Sequence, residues 1–148
     1  MLYQKSFQVI WANLDPNMHL RHTAYNDYAA QVRLDFFLDH GFTMSDMTKF
    51  QIGPILFKEE TKFLREVAMN ETIHINCELT GLRADGSKWN MQHYIYKSNN
   101  ILSAIVSVEG AWLDLIARKI KIPPIELLNV LNLMPKSEKF EWIPDKII

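Results

Sequence analysis

The sequence predicts an α+β domain in which one long helix packs on an antiparallel sheet of about five strands. Three observations predict this fold class. Apolar residues recur at helical spacing near the N-terminus, the pattern changes to alternating polar and apolar residues after Gly53-Pro54, and short turns separate the alternating segments. Strands joined by tight turns must be antiparallel, and one amphipathic helix against such a sheet is an α+β layer arrangement.

The N-terminal third of the chain supplies a strand, a loop and the long helix. Lys5–Trp11 alternates and is predicted to be a strand, whereas residues 12–22 contain Asn, Asp and Pro together and are predicted to be a loop. Thr23 is placed to cap a helix over Ala24–His40, whose apolar residues fall on one face. A short helical turn is expected over Thr43–Phe50.

Alternating segments dominate the rest of the chain. Four more strands are predicted, over Ile55–Phe63, Thr72–Thr80, Lys88–Lys97 and Ile101–Leu115. Asp85-Gly86 is a strong hairpin signal, and Pro123-Pro124 opens a short helix over Ile125–Leu133. We expect a single domain, residues 1–148, with its core at about residues 3–133 and a C-terminal tail over residues 134–148.

Length and composition exclude several classes of protein. With 148 residues, 48% of them hydrophobic, the chain is long enough for one well-filled core. A net charge of -1 offers no basic surplus for nucleic acid. No apolar stretch reaches the ~18–20 residues that cross a bilayer, so no membrane partner is expected. The single cysteine, Cys77, excludes an internal disulfide, and we expect a cytoplasmic protein. Uncovered sheet edges predict self-association.

The loop before the long helix carries the residues best suited to chemistry. Asp15, His19 and His22 place one carboxylate and two imidazoles within eight residues, just ahead of a helix N-terminus. Unpaired backbone N–H groups and the helix dipole stabilise developing negative charge at such a position. A nearby carboxylate can attack a polarised carbonyl or deprotonate a water. This combination suits hydrolysis of an activated acyl group.

Simpler roles are open to the same residue types. Asp before Pro is common in turns, because its side chain hydrogen-bonds its own backbone, and nearby histidines are often surface or capping residues. The two loop histidines have no third ligand at a recognised spacing, so we expect no metal. His93 and Cys77 alternate with apolar residues, which indicates a hydrogen-bonded interior histidine and a small core residue. Four aromatic residues are expected in the core, where some can line an acyl tunnel: Phe36, Phe37, Trp89 and Trp112.

The segment from Trp11 to Tyr25, Trp-Ala-Asn-Leu-Asp-Pro-Asn-Met-His-Leu-Arg-His-Thr-Ala-Tyr, resembles the signature of hotdog-fold acyl-CoA thioesterases of the 4-hydroxybenzoyl-CoA thioesterase type. Those proteins have an Asp near the end of the first strand and a Tyr in the first turn of the central helix, here Asp15 and Tyr25. The likeness in element order extends over roughly residues 3–133. Position 18 is Met where many members have Gly, and position 21 is Arg where the pattern has a small amide.

The resemblance implies a hotdog fold, in which the sheet wraps around the helix, and hydrolysis of an acyl-CoA to a free acid and coenzyme A. Asp15 would be the catalytic nucleophile or general base, and the backbone N–H near His22 would polarise the thioester carbonyl. Four further residues would contact the substrate or orient the loop: His19, Tyr25, Met18 and Arg21. The family needs no cofactor beyond the coenzyme A of its substrate, and its active sites lie between subunits of a homodimer or homotetramer.

Two other functions fit the same residues. The unusual Met18 and Arg21 are compatible with a non-catalytic hotdog dimer that binds an acyl or aromatic ligand. A thioesterase acting on acyl carrier protein would share the chemistry and differ only in the carrier that it recognises.

Overall fold

A computed structural model describes residues 2–145 of the chain, and the last three residues of the predicted tail lie outside them. The strands are β1 (Gln4–Gln8), β2 (Ile52–Phe63), β3 (Thr72–Asn76), β4 (Glu78–Arg83), β5 (Lys88–Lys97), β6 (Ile101–Asp114) and β7 (Lys136–Ile143). The helices are α1 (Ala24–Asp39), α2 (Met44–Phe50) and α3 (Ile125–Leu131). Short 3-10 turns are formed by Trp11–Asn13 and Ser98–Asn100.

One sheet contains all seven strands. β5 lies in the middle and pairs antiparallel with β6 on one side and with both β3 and β4 on the other. β1 pairs antiparallel with β3, β7 runs parallel to β4, and β2 pairs antiparallel with β6. Within residues 2–145, β2 has no second neighbour, so one long edge of the sheet is unpaired.

The sheet has seven strands rather than the predicted five or so, partly because Thr72–Thr80 is not one strand. The side-chain oxygen of Asn76 accepts a hydrogen bond from the backbone N–H of Tyr94. The N–H of Cys77 donates instead to the carbonyl of Tyr3, at 3.1 Å. The backbone therefore leaves the ladder at Cys77 and rejoins it as β4. The four apolar residues that alternate along this segment are nevertheless all buried: Ile73, Ile75, Cys77 and Leu79.

The second additional strand, β7, lies within the segment predicted to be a tail, and that prediction is wrong for residues 136–143. Gly81 permits the pairing, because a Cβ there would lie 3.3 Å from the backbone oxygen of Glu141. On β7, the rings of Phe140 and Trp142 meet edge to face at 5.0 Å, and the Lys136 ammonium lies over both. The frequent Lys and Glu residues of this segment conceal its strand character in the sequence.

Helix α1 is 16 residues long, whereas α2 and α3 have 7 residues each. It begins where the sequence predicts, but Thr23 does not cap it, and that prediction is wrong. The Thr23 hydroxyl instead accepts a hydrogen bond from Nε of Arg21 at 3.1 Å. The helix contacts β3 and β6, and its buried stripe consists of Ala24, Tyr25, Ala29, Val32, Phe36 and Phe37. No helix of the described chain is long and apolar enough to cross a membrane.

Candidate active site

The loop before α1 is closed by the side chain of Asp15. Its Oδ1 accepts hydrogen bonds from the backbone N–H groups of Asn17 at 2.8 Å and His19 at 3.1 Å. The Asp15 N–H donates to the carbonyl of His19 at 2.8 Å. The turn-forming role expected of an Asp-Pro pair is therefore present. No hydrogen bond within residues 2–145 involves Oδ2, and the residue is only partly buried, so one carboxylate oxygen is available to a ligand.

Met18 occupies the tightest point of this loop. Its φ is 65°, in the left-handed region that favours glycine, and its N–H donates to the carbonyl of Asp15 at 3.0 Å. The backbone here has a conformation that glycine adopts without strain, and the Met side chain is 48% exposed. The replacement of Gly by Met stores backbone strain here without opening the turn.

Arg21 stabilises the same loop through hydrogen bonds to three other residues. Its Nη1 donates to the carbonyl of Ala12 at 2.9 Å and to Oδ1 of Asn13 at 3.1 Å, while its Nε holds Thr23. These bonds join the 3-10 turn after β1 to the start of α1. Arg21 therefore positions the loop, and its contact with substrate stays a prediction.

The first turn of α1 has no side-chain cap in this arrangement. His22 and Thr23 are exposed, and no side chain caps the helix. The backbone N–H groups of the first turn therefore have no side-chain acceptor, and the positive end of the helix dipole faces the Asp15 loop. An oxygen that develops negative charge would be stabilised here.

Tyr25 and His19 line the loop from opposite directions. Tyr25 is buried, with its ring edge to face against Phe63 at 5.2 Å. Burial raises the pKa of its hydroxyl and the negative charge of Asp15 adds to the increase, so the phenol stays protonated. Nδ1 of His19 lies 3.7 Å from the carboxylate of Glu66, and the N–H of Leu20 donates to Val67 at 2.7 Å. The loop is thereby attached to the segment between β2 and β3.

A cavity of about 160 Å³ lies farther along α1, between that helix, α2 and the sheet. Three of the four predicted core aromatics line it, Phe37, Trp89 and Trp112, and Phe36 is buried as predicted. Arg33 also lines it and is not among the predicted site residues. The signal that could have revealed it is a cation three residues after Ala30 and four before Phe37, on the apolar side of the helix.

Arg33 reaches across the core to β5. Its Nη1 lies 3.0 Å from Nε2 of His93, whose Nδ1 lies 2.8 Å from the carbonyl oxygen of Asn76. Burial, together with the Arg33 charge, lowers the pKa of His93 to about 3. His93 is therefore neutral: it donates from Nδ1 to the carbonyl and accepts at Nε2 from the guanidinium. The prediction of a hydrogen-bonded interior histidine is confirmed. The nearby Cys77 is a buried core residue, as predicted, and burial raises the pKa of its thiol to about 12.

A long helix packed on a largely antiparallel sheet, with a carboxylate in the loop before the helix, is the arrangement of the hotdog class of domains. The chain belongs to the thioesterase-like superfamily, whose sequence model matches residues 9–131. None of the curated proteins matches the sequence.

Solved structures share the fold at low sequence identity. A 1,4-dihydroxy-2-naphthoyl-CoA thioesterase from Synechocystis is 12% identical with a TM-score of 0.80, over 90% of this chain and 97% of its own. A DHNA-CoA thioesterase from Staphylococcus aureus is 14% identical with a TM-score of 0.80, over 88% and 89%. A hypothetical protein from Staphylococcus aureus, solved in complex with CoA, is 15% identical with a TM-score of 0.82, over 93% and 88%.

Proposed function

We propose that the protein hydrolyses acyl-CoA thioesters to a free carboxylic acid and coenzyme A. The proposal rests above all on the Asp15 carboxylate, which has one oxygen available and belongs to the loop that leads directly into the uncapped start of α1. Membership of the thioesterase-like superfamily supports the reaction class. The fold shared with two thioesterases for naphthoyl-CoA substrates and with a CoA-bound protein supports coenzyme A as the carrier.

The reaction needs no group beyond those of the chain, the thioester and water. As a general base, Asp15 takes a proton from water through Oδ2 while the water oxygen attacks the carbonyl carbon. The carbonyl oxygen becomes an oxyanion that the N–H groups near His22 stabilise, by about 3–4 kcal/mol per donor in comparable sites. The C–S bond then breaks, and the coenzyme A thiolate receives the proton. As a nucleophile, Asp15 would form an acyl anhydride that water hydrolyses, with the same net balance.

The remaining loop residues assist these steps. Tyr25 orients the loop through its buried ring, and Arg21 holds the helix start open by engaging Thr23. His19, beside Glu66, contacts the substrate at the mouth of the site. The Met18 side chain, which is exposed, adds an apolar contact for the acyl or pantetheine portion.

We propose further that two copies pair along the free edge of β2. Phe57 and Phe63 on this strand are more than half exposed, and Leu56 is 42% exposed, which is unusual for an edge strand in water. Antiparallel pairing about the middle of β2 places the Phe63 end of one copy beside the Ile52 end of the other. Because Phe63 contacts Tyr25, the partner's Asp15 loop would then lie near the cavity lined by Arg33. A homotetramer would add contacts outside this edge.

The test is an assay of coenzyme A release across short, long and aromatic acyl-CoAs, with the matching acyl carrier protein substrates alongside. We expect turnover of at least one acyl-CoA in the absence of any added cofactor. Binding of these compounds without turnover of any of them would instead identify a non-catalytic acyl-binding dimer. Turnover of only the acyl carrier protein substrates would show that the carrier is acyl carrier protein instead of coenzyme A, and the proposed chemistry would be unaltered.

A further inference from the structure

The cavity of about 160 Å³ beside α1 combines apolar walls with the cationic side chain of Arg33. Its walls include Phe37, Met47 and Leu56, and the guanidinium of Arg33 supplies the charged hydrogen-bond donor among the described residues that line it. A cavity of this size is comparable with one of about 150 Å³ that holds a benzene molecule. It is therefore large enough for a group of about six carbon atoms.

The positive charge of Arg33 has no carboxylate close to it. None of the ion pairs within residues 2–145 involves Arg33. Its hydrogen-bond partner is His93, a neutral acceptor that engages one of its five N–H groups. The carboxylate of Glu59, an exposed residue of β2, acts on its charge from beyond ion-pair distance. A partly buried guanidinium with several unused donors favours an anionic acceptor.

The two tryptophans of the cavity wall contribute their rings rather than their N–H groups. Trp89 is 2% exposed and Trp112 is 0% exposed, and the indole N–H of each is buried with no acceptor among the described residues. Buried donors of this kind are rare in folded proteins, because each costs free energy until an acceptor meets it. They are the two buried side-chain groups in residues 2–145 without a partner, and although both tryptophans belong to the wall of the cavity that Arg33 lines, their N–H groups are shielded from its open space.

The described side chains that line this cavity contain no oxygen atom: Ala30, Arg33, Leu34, Phe37, Met47, Pro54, Leu56, Trp89, Met91 and Trp112. They offer donors and apolar contacts but no strong acceptor. We propose that the cavity binds the far end of the acyl group and selects acyl groups that end in a carboxylate. This inference rests on the proposed function for its link to catalysis, whereas binding of the acid itself does not depend on it.

The position of the cavity agrees with an acyl-end site. From Tyr25 to Arg33 there are eight helical residues, a rise of about 12 Å at 1.5 Å per residue. An acyl chain whose thioester lies at the start of α1 would pass Ala30 before its far end met the guanidinium. In the β2-paired dimer, the same cavity would face the partner's Asp15. In either geometry the bound carboxylate replaces water at Arg33, while Glu59 stays in solvent.

The experiment compares dicarboxylic acyl-CoAs with monocarboxylic ones of equal length: succinyl with butyryl, adipyl with hexanoyl and suberyl with octanoyl. We expect kcat/KM to favour the dicarboxylic member of at least one pair about tenfold or more, the effect of one charged hydrogen bond. Arg33→Met should abolish this preference, because kcat/KM should fall at least about tenfold more for the dicarboxylic substrate than for the monocarboxylic one. Arg118→Met, at an exposed arginine outside the cavity, should keep the preference.

Direct binding separates this inference from the proposed function. Free adipate should change the tryptophan fluorescence of the wild type, since Trp89 and Trp112 line the site, and hexanoate should bind at least about tenfold more weakly. Arg33→Lys retains the charge without the planar guanidinium, so it should bind adipate with intermediate affinity. Such binding would also show that the protein folds with a substitution at this position. If adipate binds selectively but no acyl-CoA is turned over, the assignment of the cavity is supported and the proposed hydrolase activity is contradicted. Turnover with equal rates within every pair, together with equal binding of adipate and hexanoate, would overturn the cavity assignment alone.

Discussion

The two carboxylate oxygens of Asp15 have different surroundings. Oδ1 accepts two backbone hydrogen bonds that shape the loop, and Oδ2 has none within the described chain. The turn-forming role and the proposed catalytic role therefore do not exclude each other, since each uses a different oxygen. An Asn side chain retains Oδ1 and loses the anionic oxygen, which makes it the sharpest probe of the second role.

Backbone strain at Met18 gives a prediction about stability. Glycine should accept its φ of 65° without the penalty of a side chain, and little buried surface is lost because the Met side chain is 48% exposed. We expect Met18→Gly to raise the free energy of unfolding by about 0.5–1 kcal/mol, as measured in urea. Asn17→Gly is the control, because Asn17 is exposed and is not among the residues with positive φ. It should lower stability, and an equal gain in both variants would contradict the explanation.

At the level of single residues, the sequence predicted the loop residues but not the contacts that side chains make with distant parts of the chain. Asp15, His19 and His22 lie close in sequence, so spacing alone brings them together. Arg33 and His93 are 60 residues apart, and only the pairing of the helix with β5 brings them within hydrogen-bond distance. Thr23 was predicted as a cap from local preference, and a competing donor, Arg21, occupies its hydroxyl. Long-range contacts and competition for one acceptor are not encoded in a local pattern.

The contact between α1 and β5 predicts a pH dependence of stability. The folded-state pKa of His93 is lowered from 6.5 to about 3, chiefly by burial. As pH falls below 6.5, the unfolded chain binds a proton that the folded protein excludes, so the unfolded state gains stability. The loss of folding free energy therefore begins near pH 6.5 and is complete near pH 3, with a slope approaching about 1.4 kcal/mol per pH unit between.

Urea denaturation between pH 4.5 and 6.5 measures this slope above the range in which most carboxylates titrate. We expect His93→Gln to be less stable at pH 7 but to lose much less stability per pH unit across this interval. The slope distinguishes titration of His93 from a general packing defect, because a packing defect lowers the whole curve without changing its slope. Parallel curves for the wild type and the variant would contradict a neutral His93.

Strand and helix positions were predictable wherever a regular pattern was uninterrupted. Lys88–Lys97 is β5 with the predicted bounds, and the long helix begins at Ala24 as predicted. The failures have two causes. At Cys77 the alternation of apolar residues continues although the ladder is broken, so a period of two cannot reveal the interruption. In β7 the charged residues hide a strand whose pairing with β4 is a long-range event.

At the scale of the whole molecule, the free edge of β2 leads to a prediction about assembly. We expect a particle of twice 17.3 kDa by light scattering during gel filtration. Phe57→Glu, which places a charge at an exposed position of this strand, should shift the protein toward the monomer. Ile116→Glu is the control, because Ile116 is 69% exposed and lies outside β2. Dissociation by both variants, or a monomeric wild type, would contradict pairing through β2.

A dimer of this kind would also link the loop to the cavity. In one chain, both features lie along α1, the loop at its start and the Arg33 cavity farther along. Antiparallel pairing would bring the loop of each copy beside the cavity of the other, so that Phe57→Glu should reduce turnover together with dimer content. Loss of the dimer with full activity would place the complete site within one subunit.

The most direct test of the account is the effect of Asp15→Asn on kcat/KM with the best acyl-CoA of the panel. Circular dichroism and gel filtration of the variant verify the fold, which Asn should preserve because it retains the Oδ1 acceptor. We predict a loss of at least ~100-fold in kcat/KM with intact folding. A variant that folds normally and turns over the thioester at a rate within about threefold of wild type would contradict the assignment of Asp15 to the reaction.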